Sequence, residues 1–134
     1  YEALSQATIF IGNDYEITLV ERKLKLTHDR IIGLVPIVVT TLAGKGAIIE
    51  KKNKKIAITA AKAENTSDPT GAGDAYRAGF IAGFLRGIDL ATCGRMASIA
   101  AVYTVEKYGT QTHTFTKKEF CDRYYENYRQ KLNL

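Results

Sequence analysis

The chain has 134 residues, 46% hydrophobic and 25% charged, a balance that suits one globular domain with a real core and excludes a disordered or fibrous chain. Lys and Arg number 19 against 14 Asp and Glu, and the net charge of +5 favours anionic small molecules without establishing nucleic-acid binding. The longest uncharged run, 31–44, carries Pro36 and two glycines and falls short of the roughly 20 residues that a membrane span needs, so no membrane association is expected.

The first stretch, YEALSQATIF, has no basic n-region or apolar h-region, so no signal peptide is expected and the cytoplasm is the expected location. Residues 8–12, TIFIG, read as a strand. Residues 14–26 place Ile17, Val20 and Leu24 at the spacing of an amphipathic helix. The continuous run IVVTTL, 37–42, is of the kind buried on both faces of a parallel sheet. GAIIE and KIAITA alternate and suggest a hairpin, with KKNKK at 51–55 as its solvated turn rather than a polyanion patch.

After a loop through 61–74 the chain turns helical. Ala78, Gly79, Ala82 and Gly83 would allow close packing of the first helix. Asp89 can cap a second helix ending near Gly109, and Thr116 with Glu119 makes a capping box for a third, whose Tyr124, Tyr125 and Tyr128 are expected to pack on the domain. Cys93 and Cys121 read as reduced, buried residues. His28 is expected at the surface and His113 in a turn. With two distant cysteines they offer no metal-ligand spacing, and no Ser-His-Asp or Cys-His set can be assembled.

The segment DPTGAGDAYRAGF, 68–80, carries the chemistry. Gly71 and Gly73 can take backbone angles closed to other residues, turning successive amides toward one centre ahead of a helix whose N-terminus is electropositive. Asp74 would repel an anion held there unless it acts on the reaction as a base. The plainer alternative, that Asp74 complements the helix dipole and the glycines close a turn, stands equally on physics alone. Two other phosphate motifs are excluded: GAGDAY lacks the third glycine of the dinucleotide fingerprint, and Lys45 is followed by Gly46 rather than by Ser or Thr.

DPTGAGDAYRAGF resembles the C-terminal signature of the ribokinase-like (PfkB) family of carbohydrate and nucleoside kinases. In the same order, NDYE at 13–16 is similar to the family's N-x-x-E element and VVTTLAGKGA at 38–47 to its strand and T-L-G-x-x-G nucleotide loop. The resemblance implies an α/β fold, the C-terminal portion of a ribokinase-like three-layer α/β/α sandwich, and transfer of the γ-phosphoryl group of ATP to a nucleoside or sugar hydroxyl. It implies Asp74 as catalytic base, with the Gly71, Ala72 and Gly73 amides holding the phosphoryl charge. Asn13 and Glu16 would organise Mg²⁺ and its waters, Thr41 and Gly46 would line the nucleotide site, and Asp68, Thr70 and Gly109 would wall a monovalent cation such as K⁺. GDAYRAG, with Arg77, leans toward bacterial adenosine-kinase-type members rather than ribose or fructose kinases.

Two departures accompany it. Ala43 stands where the family loop has its first glycine, and the family's N-terminal acceptor-binding and lid portion has no counterpart in the chain. A catalytically silent nucleotide-binding module is therefore a second reading, a sheet edge left open is a route to a homodimer, and nucleic-acid binding is not expected.

Overall fold

The computed structural model describes residues 1–134 and divides into two compact units, Tyr1–Thr59 and Ala60–Leu134. The first unit runs α1 (Glu2–Gln6), β1 (Ile9–Asn13), α2 (Asp14–Leu24), α3 (His28–Leu34), β2 (Ile37–Thr41), a 3-10 turn (Ala43–Lys45), β3 (Ala47–Lys51) and β4 (Lys54–Ile58). The sheet order is β1-β2-β3-β4. β1 is parallel to β2, with Asn13 opposite Thr41, whereas β3 is antiparallel to β2 and β4 to β3.

The sheet is thus mixed, and β2 does not have the two parallel neighbours that its apolar run suggested. The Leu42–Gly46 link is too short for the crossover a parallel pair requires, and it closes on itself through a Leu42 amide bond to the Gly46 carbonyl at 2.8 Å. Val38 and Val39 are nonetheless fully buried, and Ile17, Ile31, Val35 and Val38 form one core under α2 and α3. The expected hairpin forms around Lys52, which takes φ 51°, and residues 51–55 are all exposed. Lysines along the edge strand β4 discourage pairing with another chain there.

Helix α3 has no counterpart in the elements read from the sequence, and His28 at its start is not a free surface residue. Its Nδ1 lies 2.9 Å from Glu21 Oε1 and its Nε2 lies 2.8 Å from Glu50 Oε2, while Lys55 Nζ stands 3.2 Å from Glu50 Oε1. Ionised carboxylates only accept, so this arrangement favours the imidazolium, with hydrogen on both ring nitrogens. Burial alone would lower the His28 pKa, but the bonds to Glu50 and Glu21 outweigh it and hold it above the usual value. Burial would likewise raise Glu50, and the His28 and Lys55 partners bring it below the usual carboxylate value.

The sign of the pH dependence follows from those two directions. The His28 contribution is complete below its unfolded pKa of about 6.5 and is lost as pH rises through the raised folded value. The Glu50 contribution is present above its unfolded pKa of about 4.3 and is lost as pH falls through the lowered folded value. The resistance of the first unit to denaturant is therefore expected to fall as pH rises above about 6.5, and His28→Gln to flatten that dependence.

The second unit is helical: α4 (Ala72–Leu85), α5 (Leu90–Val105) and α6 (Lys117–Tyr128). Glycines let α4 and α5 approach closely. A Cβ on Gly79 would stand 2.8 Å from Ala97 Cα, and one on Gly83 would stand 2.9 Å from Cys93 Sγ. Ala78, by contrast, faces outward. Met96, Ile99 and Val102 of α5 pack with Phe120 and Tyr124 of α6, while Tyr125 is 48% exposed and does not join the packing expected of it. Cys93 is buried and Cys121 only partly so.

Asp89 caps α5 by accepting from the Thr92 amide at 3.0 Å, and Thr116 and Glu119 form the expected capping box on α6. Helix α5 ends at Val105 rather than near Gly109. The Val105 carbonyl accepts from the Ser67 and Asp68 amides, and the Gly109 amide that would have continued the helix donates instead to Asp68 Oδ2 at 3.1 Å.

Candidate functional site

In the first unit the candidate residues gather at one end of the sheet. Asn13 ends β1, Thr41 ends β2 beside it, and Gly46 immediately precedes β3, whose first residue Ala47 pairs with Thr41. Ligands of open α/β sheets bind outside the carboxyl ends of parallel strands, which is this end. The N-x-x-E element is a capping box. Asn13 Oδ1 accepts from the Glu16 amide at 2.7 Å, and Glu16 Oε2 accepts from the Asn13 amide at 2.9 Å. That box starts α2 directly off the strand and so fixes both oxygen-bearing side chains at the strand terminus.

Gly12 makes room for this arrangement, a requirement that the sequence reading did not identify. A Cβ there would stand 3.3 Å from Glu16 Oε2. The nucleotide-loop candidate Gly46 takes φ 97° and ψ −137°, a region open essentially to glycine alone. Ala43, in place of the family's glycine, sits at φ 51°, where a Cβ is strained by roughly 1–2 kcal/mol. Ala43→Gly is expected to raise the stability of the first unit by about 0.5–1 kcal/mol, part of the relieved strain being offset by the freer unfolded chain. Urea unfolding of the two forms measures it.

In the second unit, α4 starts at Gly71, which takes φ 84° and ψ −6° and provides no side-chain cap. Helices α2, α3, α5 and α6 all carry one, from Asn13, Thr27, Asp89 and Thr116. Of the three expected amide donors, Ala72 already donates to the Pro69 carbonyl at 3.2 Å. Gly73 and Asp74 lie in the first turn, whose amides have no carbonyl partner within the helix. Thr110 packs against Gly71, where a Cβ would stand 3.3 Å from the threonine Cβ, so the space is tight and the left-handed φ of 84° favours glycine. The sequence reading singled out the turn around Gly109, in which Thr110 lies, but not this contact with Gly71.

Asp74 is exposed on the first turn, and its Oδ1 accepts from Arg77 Nη1 at 2.8 Å. Arg77 was singled out in the sequence by the family resemblance, but its pairing with Asp74 was not expected. The three candidate cation-wall residues are linked directly. Asp68 Oδ1 accepts from the Thr70 amide at 2.9 Å and Asp68 Oδ2 from the Gly109 amide at 3.1 Å. These bonds, Thr70 first, hold the Asp68 carboxyl below the usual value. Asp68 thereby ties the turn at Gly109 to the start of α4. His113 stacks on Phe115, with centroids 6.2 Å apart, beside the buried Thr104.

The chain is 43% identical over 111 residues to a nucleoside kinase of Methanothermobacter thermautotrophicus, covering 83% of this chain and 36% of that one. A structure of Burkholderia thailandensis nucleoside kinase in complex with inosine superposes with a TM-score of 0.96 at 34% identity, over 98% of this chain and 44% of that one. Methanocaldococcus jannaschii nucleoside kinase, an archaeal member of the ribokinase family, superposes with a TM-score of 0.88 at 34% identity, over 93% of this chain and 42% of that one. The fold is therefore α/β and ribokinase-like, and the chain spans about two fifths of the length of these relatives. The profile of the pfkB family carbohydrate kinases matches residues 1–117, and the sheet-end capping box, the glycine-led start of α4 and these likenesses agree that the chain belongs to that family.

Proposed function

We propose that the chain is the nucleotide-binding and catalytic portion of a kinase that transfers the γ-phosphoryl group of ATP to a hydroxyl of a nucleoside, of the adenosine or inosine kind. The observation that carries this reading is the start of α4: a left-handed Gly71, no side-chain cap, and Asp74 on the first turn. Uncapped first-turn amides suit an anion whose charge grows during transfer, and an adjacent carboxylate suits the hydroxyl that attacks it. In this reading Asp74 receives the hydroxyl proton, the hydroxyl oxygen forms the new bond to phosphorus, and the bond to the bridging oxygen breaks to leave ADP. The Gly71 and Gly73 amides hold the phosphoryl oxygens, with Ala72 sharing its N–H with Pro69.

Asn13 and Glu16 offer the hard oxygens that Mg²⁺ takes. Because Glu16 Oε2 and Asn13 Oδ1 are engaged in the capping box, this pair suits a metal reached through its water shell. Mg²⁺ would neutralise the nucleotide phosphates; the residues themselves supply only placement. Thr41 and Gly46 line the nucleotide loop, and Asp68, Thr70 and the Gly109 turn wall a monovalent cation site. Both cysteines are free, which accords with a cytoplasmic location.

The chain's length relative to its relatives favours a second reading, a nucleotide-binding part that depends on an acceptor-binding portion. Calorimetric titration with Mg-ATP, paired with ADP release across inosine, adenosine, ribose and fructose, separates the two. Nucleoside-dependent release supports the kinase, sugar-dependent release moves the acceptor class, and binding without release supports the second reading. Absence of Mg-ATP binding by the folded chain would overturn both.

A further inference from the structure

We propose that Thr110 is a positioning residue for the start of α4. Its Cβ and Cγ2 close the space beside the Gly71 Cα and so keep Gly71 in the left-handed conformation that aims the first-turn amides at a phosphoryl group. The proposal rests on the reading of that turn as the phosphoryl site.

Glycine has the widest choice of backbone angles and no side chain to restrict them. Gly71 takes φ 84° and ψ −6° at a helix start that has no side-chain cap, so its conformation is held by what lies against it. A Cβ added to Gly71 would stand 3.3 Å from Thr110 Cβ and 3.4 Å from both its Cα and its Cγ2. All three are carbon atoms, so the contact is one of shape and not of hydrogen bonding.

The turn that carries Thr110 is itself anchored to the residues before Gly71. The Gly109 amide donates to Asp68 Oδ2 at 3.1 Å, Asp68 Oδ1 accepts from the Thr70 amide at 2.9 Å, and the Ser67 and Asp68 amides donate to the Val105 carbonyl. The Thr112 hydroxyl closes the turn by donating to the Tyr108 carbonyl at 2.7 Å. Thr110 and Gly71 thus share one frame, and a shift of either is resisted by the other. Burial does not account for the contact, because Thr110 is exposed. A misaimed donor, by contrast, is costly where charge develops during a reaction.

The test compares Thr110→Val, which keeps the branched carbon skeleton and lacks the hydroxyl, with Thr110→Ser, which keeps the hydroxyl and lacks Cγ2. The probes are Mg-ADP alone and Mg-ADP with aluminium fluoride, a mimic of the phosphoryl group in transfer, both followed by calorimetry. Thr110→Val is expected to bind the fluoride complex like the wild type and Thr110→Ser about fivefold more weakly, each with wild-type affinity for Mg-ADP alone and a wild-type urea midpoint. Any loss in Thr110→Val would make the hydroxyl a ligand and overturn the proposal. No loss in Thr110→Ser, or a loss that Mg-ADP affinity and the urea midpoint share, would overturn it too, the latter as the mark of a merely structural threonine. Backbone carbon chemical shifts of Gly71 read the conformation without nucleotide: left-handed in the wild type and Thr110→Val but averaged in Thr110→Ser supports the proposal, and left-handed in all three overturns it. The reading of the phosphoryl site fails separately, if aluminium fluoride does not tighten Mg-ADP binding to the wild-type chain, and the Gly71 shifts then still decide what Thr110 holds.

Discussion

Arg123→Met is expected to destabilise the second unit by about 3 kcal/mol, the low end of the cost of stripping one partner from a buried ion pair. Arg123 Nη1 donates to Glu106 Oε2 at 2.9 Å and Nη2 donates to Glu106 Oε1, with side chains only 12% and 8% exposed. The same guanidinium reaches the Lys62 carbonyl at 3.2 Å and lies 5.1 Å over the Tyr103 ring, while Glu106 Oε1 also accepts from the Glu64 amide at 2.6 Å. Burial alone would raise the Glu106 pKa, but Arg123 and the Glu64 amide hold it below the usual value, so Glu106 is ionised at neutral pH and would be left buried without its guanidinium. Glu106→Gln combined with Arg123→Met should recover much of the loss, because no charge is then stranded. Urea unfolding of the single and double variants decides it, and a single-variant loss below about 0.5 kcal/mol would contradict the account.

The larger expected effect is on catalysis. Asp74→Asn should lower acceptor-dependent turnover by about 10²–10⁴, the range for removing a positioned general base, which is roughly 3–5 kcal/mol of transition-state stabilisation. Asn is nearly isosteric and its carbonyl can still accept from Arg77, and the side chain is 85% exposed. Stability should therefore change by less than about 0.5 kcal/mol and Mg-ATP should still bind. A turnover loss accompanied by unfolding would instead assign Asp74 a structural part in starting α4.

The elements most legible in the sequence were those with local signals. Asp89, and Thr116 with Glu119, announce helix starts, and both caps form. Asn13 and Glu16, singled out only by the family resemblance, form a capping box as well. Helix α3 carried a signal that went unused: Thr27 caps it, Ile31 is buried, and Pro36 follows its end. Other features were not local. The end of α5 depends on Ser67, Asp68 and Gly109 competing for its last hydrogen bonds, far apart in the chain. The two carboxylates on His28 come from α2 and β3, which only the folded sheet brings to it. In the candidate site, Gly71 and Asp74 could be singled out from residue type and spacing. The contact of Thr110 with Gly71 depends on where the chain returns after α5 and has no trace in the sequence around residue 71.

The central claim, that the start of α4 carries phosphoryl transfer, is tested most directly by following the γ-phosphoryl group itself. The folded chain would be incubated with Mg-ATP labelled at the γ-position, potassium present, and inosine or adenosine, beside Asp74→Asn. The account predicts label on the nucleoside with the wild-type chain and at least about a hundredfold less with the variant. Equal labelling by both proteins would contradict Asp74 as the base, and no labelling by a folded wild-type chain that binds Mg-ATP would contradict the claim that this portion transfers phosphate by itself.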